Sequence, residues 1–310
     1  MHTIFTFPAV LAAFAAASAQ EVPDIRTVEP DLVVPAMAED DPGPGRRVKQ
    51  TTAGWEDTQV YHALYLPVDW QSGKRYPVIV EYAGNGPFTS PYGDVSTGKV
   101  EGSCMGYGIS GGKGVIWVCM PYLDNAGAAN VTMWWGSGGW RGKRSEYKVQ
   151  PTIDYCMATV KMICEQYGGD STNVFIAGFS RGSIACNYIG LHNDEIASLW
   201  RGFICYANYD GLHALWPYPG AGRASAAKRL QRLGQRPQFI CQEVARKAKS
   251  ALSVTRAYLR QACPDGKFTF ELIPFRNHND AWTLRDIPAR RALRKWFAAV
   301  LADKTIRQGK

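Results

Sequence analysis

The sequence predicts an α/β fold in which a mostly parallel central sheet is covered by helices on both faces. Short apolar runs of strand length alternate along the chain with segments whose apolar residues recur at helical spacing. Such alternation is typical of parallel sheets, because the crossover between two parallel strands is usually a helix. The apolar runs are also continuous, as expected for strands that are buried on both faces.

Seven runs have the length and composition of strands. They span residues 58–67, 76–82, 114–120, 174–177, 203–207, 237–241 and 268–273. The first run alternates apolar and polar residues, so we expect an edge strand that Pro67 ends. The other runs are rich in apolar and β-branched residues, which suits a sheet covered on both faces.

Three long segments show helical periodicity, and a fourth helix is expected directly after Ser180. The long segments span residues 151–167, 250–262 and 287–302. Pro151 is suited to the first turn of its helix, where its missing N–H group costs nothing. After Ser180, the apolar residues Ile184, Ala185 and Tyr188 recur at helical spacing.

The first fifty residues are expected to precede the folded domain. An apolar run followed by the A-S-A sequence at residues 17–19 fits a signal peptide over residues 1–19, the alternative being an apolar N-terminal helix. Residues 20–50 are rich in Pro, Asp and Glu and predict an extended leader, and residues 51–310 predict a single α/β domain. The protein is therefore expected to be secreted or periplasmic, with no membrane-spanning segment.

The composition argues against several classes of partner. The formal net charge is +8, but the basic residues are scattered among helical apolar positions, so no nucleic-acid partner is expected. The eight cysteines would permit disulfides in an exported protein, although their positions in predicted strands and helices favour free, buried thiols. No zinc-type spacing and no phosphate-binding glycine motif occurs, so neither a metal nor a cofactor is expected.

The sequence G-F-S-R-G at residues 178–182 is a candidate nucleophile motif. It lies where a buried strand gives way to a helix, and at such a turn a side chain at Gly178 or Gly182 would collide with the backbone. The turn exposes the hydroxyl of Ser180 at the N-terminus of a helix, where free N–H groups favour a developing oxyanion. Ser180 is therefore the predicted nucleophile.

A base and an acid are needed to activate a serine hydroxyl. In this kind of sheet they should follow the nucleophile in the order acid, then histidine, at the carboxyl ends of strands. His278 comes directly after the last predicted strand and is the predicted base. For the acid, Asp210 after the 203–207 strand is preferred, and Glu243 at the end of the next strand is the alternative.

Two loops complete the predicted site. The backbone N–H of Arg181 is expected to be one oxyanion donor, and the loop at Asn85 and Gly86 is expected to supply the second. A glycine-rich loop at residues 122–147 carries Trp134, Trp135 and Trp140, which are candidate substrate-binding residues. Equally, these tryptophans could pack the loop onto the domain.

These residues together resemble the α/β-hydrolase superfamily, over roughly residues 58–301. Within it the chain resembles secreted esterases related to polyhydroxybutyrate depolymerases and to feruloyl and acetyl-xylan esterases, and also the catalytic domain of prolyl-oligopeptidase-like enzymes. Many relatives carry Gly-x-x-Asp after the strand at 237–241, where this chain has Gln242 and Glu243. The choice of the acid therefore stays open at this point.

The resemblance implies a secreted serine hydrolase that cleaves carboxylic esters through an acyl-enzyme on Ser180. The aromatic, glycine-rich loops favour sugar-linked or aromatic esters, carried by a small molecule or a polymer. Two other functions remain open: a serine peptidase that uses the same residues, and a non-catalytic carbohydrate-binding protein that uses the tryptophans. Fold alone does not decide between them.

Overall fold

The computed structural model describes residues 21–133, 146–244 and 252–306. Over these ranges the chain forms one large sheet, two small two-stranded sheets and the helices that pack on the large sheet. The strands are β1 (Met37–Ala38), β2 (Arg47–Gln50), β3 (His62–Tyr65), β4 (Tyr76–Tyr82), β5 (Phe88–Thr89), β6 (Val95–Ser96), β7 (Ile116–Met120), β8 (Tyr122–Leu123), β9 (Asn130–Val131), β10 (Gly169–Phe179), β11 (Trp200–Tyr206), β12 (Gln238–Glu243) and β13 (Phe268–Ile273). The α-helices are α1 (Met105–Ser110), α2 (Gln150–Gln166), α3 (Arg181–Tyr188), α4 (Asp194–Ala197), α5 (Arg223–Leu230), α6 (Leu252–Ala262) and α7 (Pro288–Ala302).

The large sheet has the strand order β1-β2-β3-β7-β4-β10-β11-β12-β13 in the described part of the chain. From β7 onward in this order, every pair of neighbours is parallel. β3 is antiparallel to both of its neighbours, β2 and β7. The predicted mostly parallel sheet is therefore confirmed.

Apolar side chains cover both faces of this sheet. In β4, Val78 and Val80 belong to one buried apolar cluster, and Ile79 belongs to the other. The first cluster includes residues of α2, α3 and α6, whereas the second includes residues of α1 and α7. Because successive strand residues point to opposite faces, helices on both sides are needed to bury a continuous apolar run.

The run predicted to be an edge strand lies inside the sheet. β3 pairs with β2 on one side and β7 on the other, and all four of its residues are buried. Its polar residue, His62, is buried too, with Nδ1 2.8 Å from the hydroxyl oxygen of Tyr155. The prediction was wrong because a buried imidazole with a hydrogen-bond partner resembles, in sequence, the solvated face of an edge strand.

Part of the segment predicted to be a leader belongs to the sheet. β1 pairs with β2, and β2 pairs with β3, so the sheet begins before residue 51. Upstream, the guanidinium of Arg290 in α7 donates to both carboxylate oxygens of Asp31, at 2.8 and 2.7 Å. Polar contacts of this kind need no apolar periodicity, which explains the irregular sequence. The predicted signal peptide, residues 1–19, lies outside the described residues.

The predicted helices are present as α2, α3, α6 and α7, within a few residues of the expected ends. α2 and α7 each have a proline in their first two positions, as the sequence predicts for Pro151 of α2. In the ranges that the structure describes, no helix is long and apolar enough to cross a bilayer.

All eight cysteines lie in the described residues, and all are free thiols. Six of them are buried. Burial raises the pKa of the Cys156 thiol to about 12, so it stays neutral at ordinary pH. These cysteines therefore serve as small apolar residues of the core.

Candidate active site

The G-F-S-R-G sequence forms the turn between β10 and α3. Ser180 has φ +55° and ψ −112°, and a positive φ is uncommon for a residue with a side chain. A Cβ atom on Gly178 would lie 2.1 Å from the carbonyl oxygen of Gly182, and one on Gly182 would lie 2.0 Å from that of Tyr82. No side chain fits at these distances, so both flanking glycines are required, as predicted.

Contacts from the neighbouring strand hold this strained turn. The backbone N–H of Ser180 donates to the carbonyl oxygen of Tyr206, the last residue of β11, at 2.7 Å. The ring of Phe179 stacks on the ring of Tyr206, with centroids 5.5 Å apart. A strained backbone persists only where its surroundings fix it. The Ser180 side chain is thereby held at the carboxyl edge of the sheet.

His278 lies in the loop after β13, as predicted, and it contacts Ser180. Its Nε2 is 2.9 Å from Oγ of Ser180, and its Nδ1 is 2.9 Å from Oε1 of Glu243. The side chains of His278 and Glu243 are only 11% and 3% exposed. Because a carboxylate oxygen accepts a hydrogen bond, Nδ1 carries the ring proton and Nε2 presents its lone pair to the serine hydroxyl.

The acidic residue that contacts His278 is Glu243, so the preference for Asp210 is wrong. Asp210 is buried, and its carboxylate accepts hydrogen bonds from the Arg229 guanidinium at 2.8 and 2.9 Å. It also accepts one from the Tyr218 hydroxyl at 2.7 Å. Asp210 therefore belongs to a buried ion pair away from the histidine.

The loop after β4 differs from the prediction in how its groups are used. The backbone N–H of Gly86 donates to the carbonyl oxygen of Thr132 at 2.9 Å, so this predicted oxyanion donor is already bonded within the protein. The side chain of Asn85, in contrast, is buried, and neither of its amide atoms has a hydrogen-bond partner in the described ranges. A buried amide without partners is costly and needs an explanation, such as a role in binding or catalysis.

Arg181 begins α3, directly after Ser180. Its backbone N–H lies in the first turn of the helix, where N–H groups point outward and favour negative charge. Burial lowers the pKa of its guanidinium to about 10, so the side chain remains cationic at neutral pH. Both groups of Arg181 therefore favour an anion beside the serine.

A cavity of about 290 Å³ contains Ser180 and His278. Asn85, Gly86 and Arg181 also line it, together with Pro87, Phe88, Met133, Asn208 and Trp216. The ring of Phe88 meets the imidazole of His278 edge to face, with centroids 5.8 Å apart. Trp134, Trp135 and Trp140 follow Met133 in sequence but lie outside the described residues. The wall around the serine is thus partly aromatic and apolar.

A larger cavity of about 510 Å³ lies apart from Ser180 and His278. Its lining includes Lys49, Tyr61 and Thr132. Thr132 accepts the hydrogen bond from Gly86, which lines the smaller cavity, so the two cavities are neighbours. The larger one is mainly polar and offers hydroxyl, amide and ammonium groups.

Sequence reasoning passed over several residues of this site. Asp94 accepts a hydrogen bond from the backbone N–H of His278 at 3.1 Å, and Phe88 and Trp216 line the cavity. No local pattern singles out these residues, because they lie in irregular loops that only the fold brings to Ser180. A glycine before Asp94 marks a turn, but a turn by itself does not indicate a role at the site.

No protein-family model matches this sequence, and no curated protein matches it either. Many solved structures do match. An S-formylglutathione hydrolase from Agrobacterium tumefaciens is similar with a TM-score of 0.54 and 15% identity, over 82% of this chain and 94% of that one. A thermostable esterase is similar with a TM-score of 0.51 and 12% identity, over 82% of this chain.

A peptidase is also among the similar structures. Dipeptidyl peptidase 4 from Porphyromonas gingivalis has a TM-score of 0.50 and 15% identity, over 84% of this chain. The present chain spans 62% of the esterase and 36% of the peptidase. At such low identity the likeness establishes the architecture and leaves the activity open. From this likeness and from the parallel sheet that carries the Ser180 turn, this chain has the α/β-hydrolase fold.

Proposed function

We propose that this protein is a serine hydrolase that cleaves carboxylic esters through an acyl-enzyme on Ser180. The observation that carries the proposal is the chain of hydrogen bonds from Ser180 through His278 to Glu243, with 2.9 Å at each step. A nucleophile, a base and an orienting acid in this geometry are the parts that acyl transfer requires. Similar structures that are named as an esterase and an S-formylglutathione hydrolase support the same reading.

In the first half of the reaction, Oγ of Ser180 attacks the acyl carbon while Nε2 of His278 takes its proton. Glu243 stabilises the imidazolium that forms and keeps the ring oriented. The backbone N–H of Arg181 and the side-chain amide of Asn85 donate to the oxyanion of the tetrahedral intermediate. His278 then gives its proton to the leaving alcohol, and the acyl group stays on Ser180.

In the second half, a water molecule replaces the alcohol. His278 removes a proton from this water as its oxygen attacks the acyl carbon, which forms a second tetrahedral intermediate in the same place. The intermediate collapses, the carboxylic acid leaves, and His278 returns the proton to Oγ of Ser180. The enzyme therefore ends in its starting state.

Two neighbouring cavities support a proposal for the substrate class. Phe88, Met133 and Trp216 give the serine cavity an apolar, partly aromatic wall, which suits a small or aromatic acyl group. The adjacent, larger cavity is lined by hydroxyl, amide and ammonium groups and by Tyr61, and such a polar lining suits the hydroxyl groups of a sugar. We therefore propose sugar-linked or aromatic esters as substrates, including esters on a polymer.

Export of the protein remains part of the proposal. It rests on the apolar run and the A-S-A sequence at residues 17–19. The narrower relation to polyhydroxybutyrate depolymerases and to feruloyl or acetyl-xylan esterases likewise rests on sequence motifs. Signal-peptide cleavage is testable by N-terminal sequencing of the protein secreted from an expressing host.

Hydrolysis of p-nitrophenyl esters tests the proposal. The wild type is compared with Ser180→Ala and His278→Ala on acetyl, butyryl and feruloyl esters, with a dipeptidyl p-nitroanilide as the peptidase substrate. We expect ester turnover by the wild type, loss in both variants, and covalent labelling of the wild type alone by a fluorophosphonate. Circular dichroism of each variant checks that the fold is intact.

Three other results would contradict all or part of the proposed function. Turnover of the anilide but not of the esters would favour the peptidase that the similarity to dipeptidyl peptidase 4 suggests. If the folded wild type showed no turnover and no labelling, acyl transfer would be refuted and the carbohydrate-binding alternative would be favoured. A preference for long aliphatic acyl chains would overturn the proposed substrate class while leaving the chemistry in place.

A further inference from the structure

One carboxylate bonds three consecutive residues of the loop that carries His278. Oδ2 of Asp94 accepts from the backbone N–H of His278 at 3.1 Å. Oδ1 of Asp94 accepts from the side-chain amides of Asn277 and Asn279, at 3.3 and 3.1 Å. None of these three residues lies in a strand or a helix, so the regular hydrogen bonds of such elements do not set the path of the loop here.

Asp94 is itself fixed by its own hairpin. It directly precedes β6, which pairs with β5, and its side chain is buried. The hydroxyl of Ser90 donates to Oδ2 of Asp94 at 2.6 Å, and the backbone N–H of Ser90 donates to the Asp94 carbonyl at 2.9 Å. A buried carboxylate with several donors has one preferred position, so the hairpin offers the histidine loop a rigid anchor.

The opposite side of the loop is bound by the N-terminal segment. The backbone N–H of Ile25 donates to Oδ1 of Asn277 at 2.7 Å, and that of Arg276 donates to the carbonyl oxygen of Pro23 at 2.9 Å. The side chain of Asn277 thus joins the N-terminal segment to Asp94. Residues far apart in sequence hold the loop from both sides, which leaves its backbone little freedom.

We propose that Asp94 is a positioning residue for ester hydrolysis, which acts by fixing the backbone of His278. The proposal rests on the proposed function. Asp94 contacts the backbone N–H of His278 and leaves both ring nitrogens to Ser180 and Glu243. It therefore sets where the imidazole stands between these two side chains without taking part in proton transfer. Misplacement of a reacting group by as little as 1 Å reduces a rate by roughly a hundredfold.

Asp94→Asn tests this role, with Asp40→Asn at an exposed position as the matched control. The new amide must place an NH₂ group where one carboxylate oxygen was, opposite an N–H donor of the loop. For p-nitrophenyl acetate we expect kcat to fall by roughly ten- to a hundredfold, with KM nearly unchanged. The control variant should keep the wild-type kcat.

A proton NMR signal provides a second readout that does not depend on activity. The Nδ1 proton of His278, bonded to Glu243, should give a downfield resonance that is absent in His278→Ala. We expect Asp94→Asn to shift or broaden this resonance and Asp40→Asn to leave it unchanged. A purely structural role would lower the unfolding temperature while each folded molecule kept the wild-type kcat and resonance.

These experiments distinguish a failure of the proposed role of Asp94 from a failure of the proposed ester hydrolysis. A folded Asp94→Asn with wild-type kcat and an unchanged resonance would overturn the role of Asp94. A wild type without ester turnover would overturn the proposed function, and the resonance would then still decide whether Asp94 positions His278. If Asp94→Asn does not fold, Ser90→Ala replaces it. We expect that variant to show a three- to tenfold lower kcat, roughly a single lost hydrogen bond, and an unchanged kcat and resonance would count against the proposal.

Discussion

Oε1 of Glu243 lies 2.9 Å from Nδ1 of His278, although 35 residues separate them in sequence. Glu243 ends β12, and β12 pairs directly with β13, whose end leads into the histidine loop. Asp210 follows β11, which lies one strand further from β13. Because neighbouring strands are roughly 4.8 Å apart, the glutamate side chain spans the gap and the aspartate does not.

We therefore expect Glu243→Gln to lower kcat by ~10²- to 10⁴-fold with little loss of stability. The NH₂ group of the new glutamine can face Nδ1 only if Nδ1 carries no proton. The ring proton is then on Nε2, which can no longer accept the proton of the Ser180 hydroxyl. Steady-state kinetics on p-nitrophenyl acetate, with thermal unfolding of the same samples, measures both effects.

Asp210→Asn is the matched control for this experiment. It leaves the buried guanidinium of Arg229 without its carboxylate, and breaking a buried ion pair typically costs ~3 kcal/mol or more. We expect the loss to appear in urea unfolding, while each folded molecule keeps its kcat. If the two variants exchanged these behaviours, with Asp210→Asn slow and Glu243→Gln fast, our assignment of the acid would be wrong.

Asn85→Ala should have the opposite effects to Asp210→Asn: it should lower kcat without lowering stability. If the Asn85 amide donates to the oxyanion, kcat should fall by ~10- to 10³-fold with a small change in KM. Stability should stay equal or rise, because the buried amide has no partner in the described residues to lose. A wild-type kcat in a folded Asn85→Ala would leave the oxyanion to backbone donors alone.

Gly182, two residues after Ser180, should tolerate no substitution. We expect Gly182→Ala to destabilise the protein by ~3 kcal/mol or more, since its methyl group would overlap the carbonyl oxygen of Tyr82. Gly222→Ala is the control: its added Cβ meets no atom within 4 Å, so only the cost of a poorer N-cap for α5, about 1 kcal/mol or less, is expected. Chemical denaturation of both variants measures the difference, and equal stabilities would contradict the crowded turn.

His62 should make the protein less stable in mild acid. Burial lowers its pKa to about 3, from 6.5 in an unfolded chain. Between these values the unfolded chain binds a proton that the folded chain excludes. The free energy of unfolding should therefore fall by ~1.4 kcal/mol per pH unit as pH drops below the unfolded pKa, and the full stability should be present above it.

His62→Gln removes this titration and retains a group that can bond the hydroxyl of Tyr155. Urea unfolding of the wild type and the variant at about pH 7 and about pH 5 measures the difference in slope. The variant should lose less stability between the two conditions. Parallel loss in both proteins would show that the imidazole is protonated, or solvated, in the folded state.

Two of the predictions that the structure corrects have the same physical origin. Residues 58–67 alternate between polar and apolar side chains. This pattern cannot show whether a polar residue such as His62 faces water or, as in the structure, lies in the core bonded to Tyr155. In the same way, a strand followed by an acidic residue indicates a candidate acid at Asp210 and at Glu243. Which one reaches His278 depends on which strand lies beside β13, and this is a property of the sheet order.

Seven strands of the large sheet, four of the helices, and the positions of Ser180 and His278 could be predicted from the sequence alone. Strand and helix periodicity, the strand–turn–helix at Ser180 and the position of His278 after the last strand are all local features, so they can be predicted from neighbouring residues. The folded structure was needed to see that Glu243 contacts His278, that Asp94 bonds the loop of His278, and that part of the irregular N-terminal segment belongs to the sheet. These contacts join residues far apart in the chain, and such contacts form only once strand order and loop packing bring their side chains together.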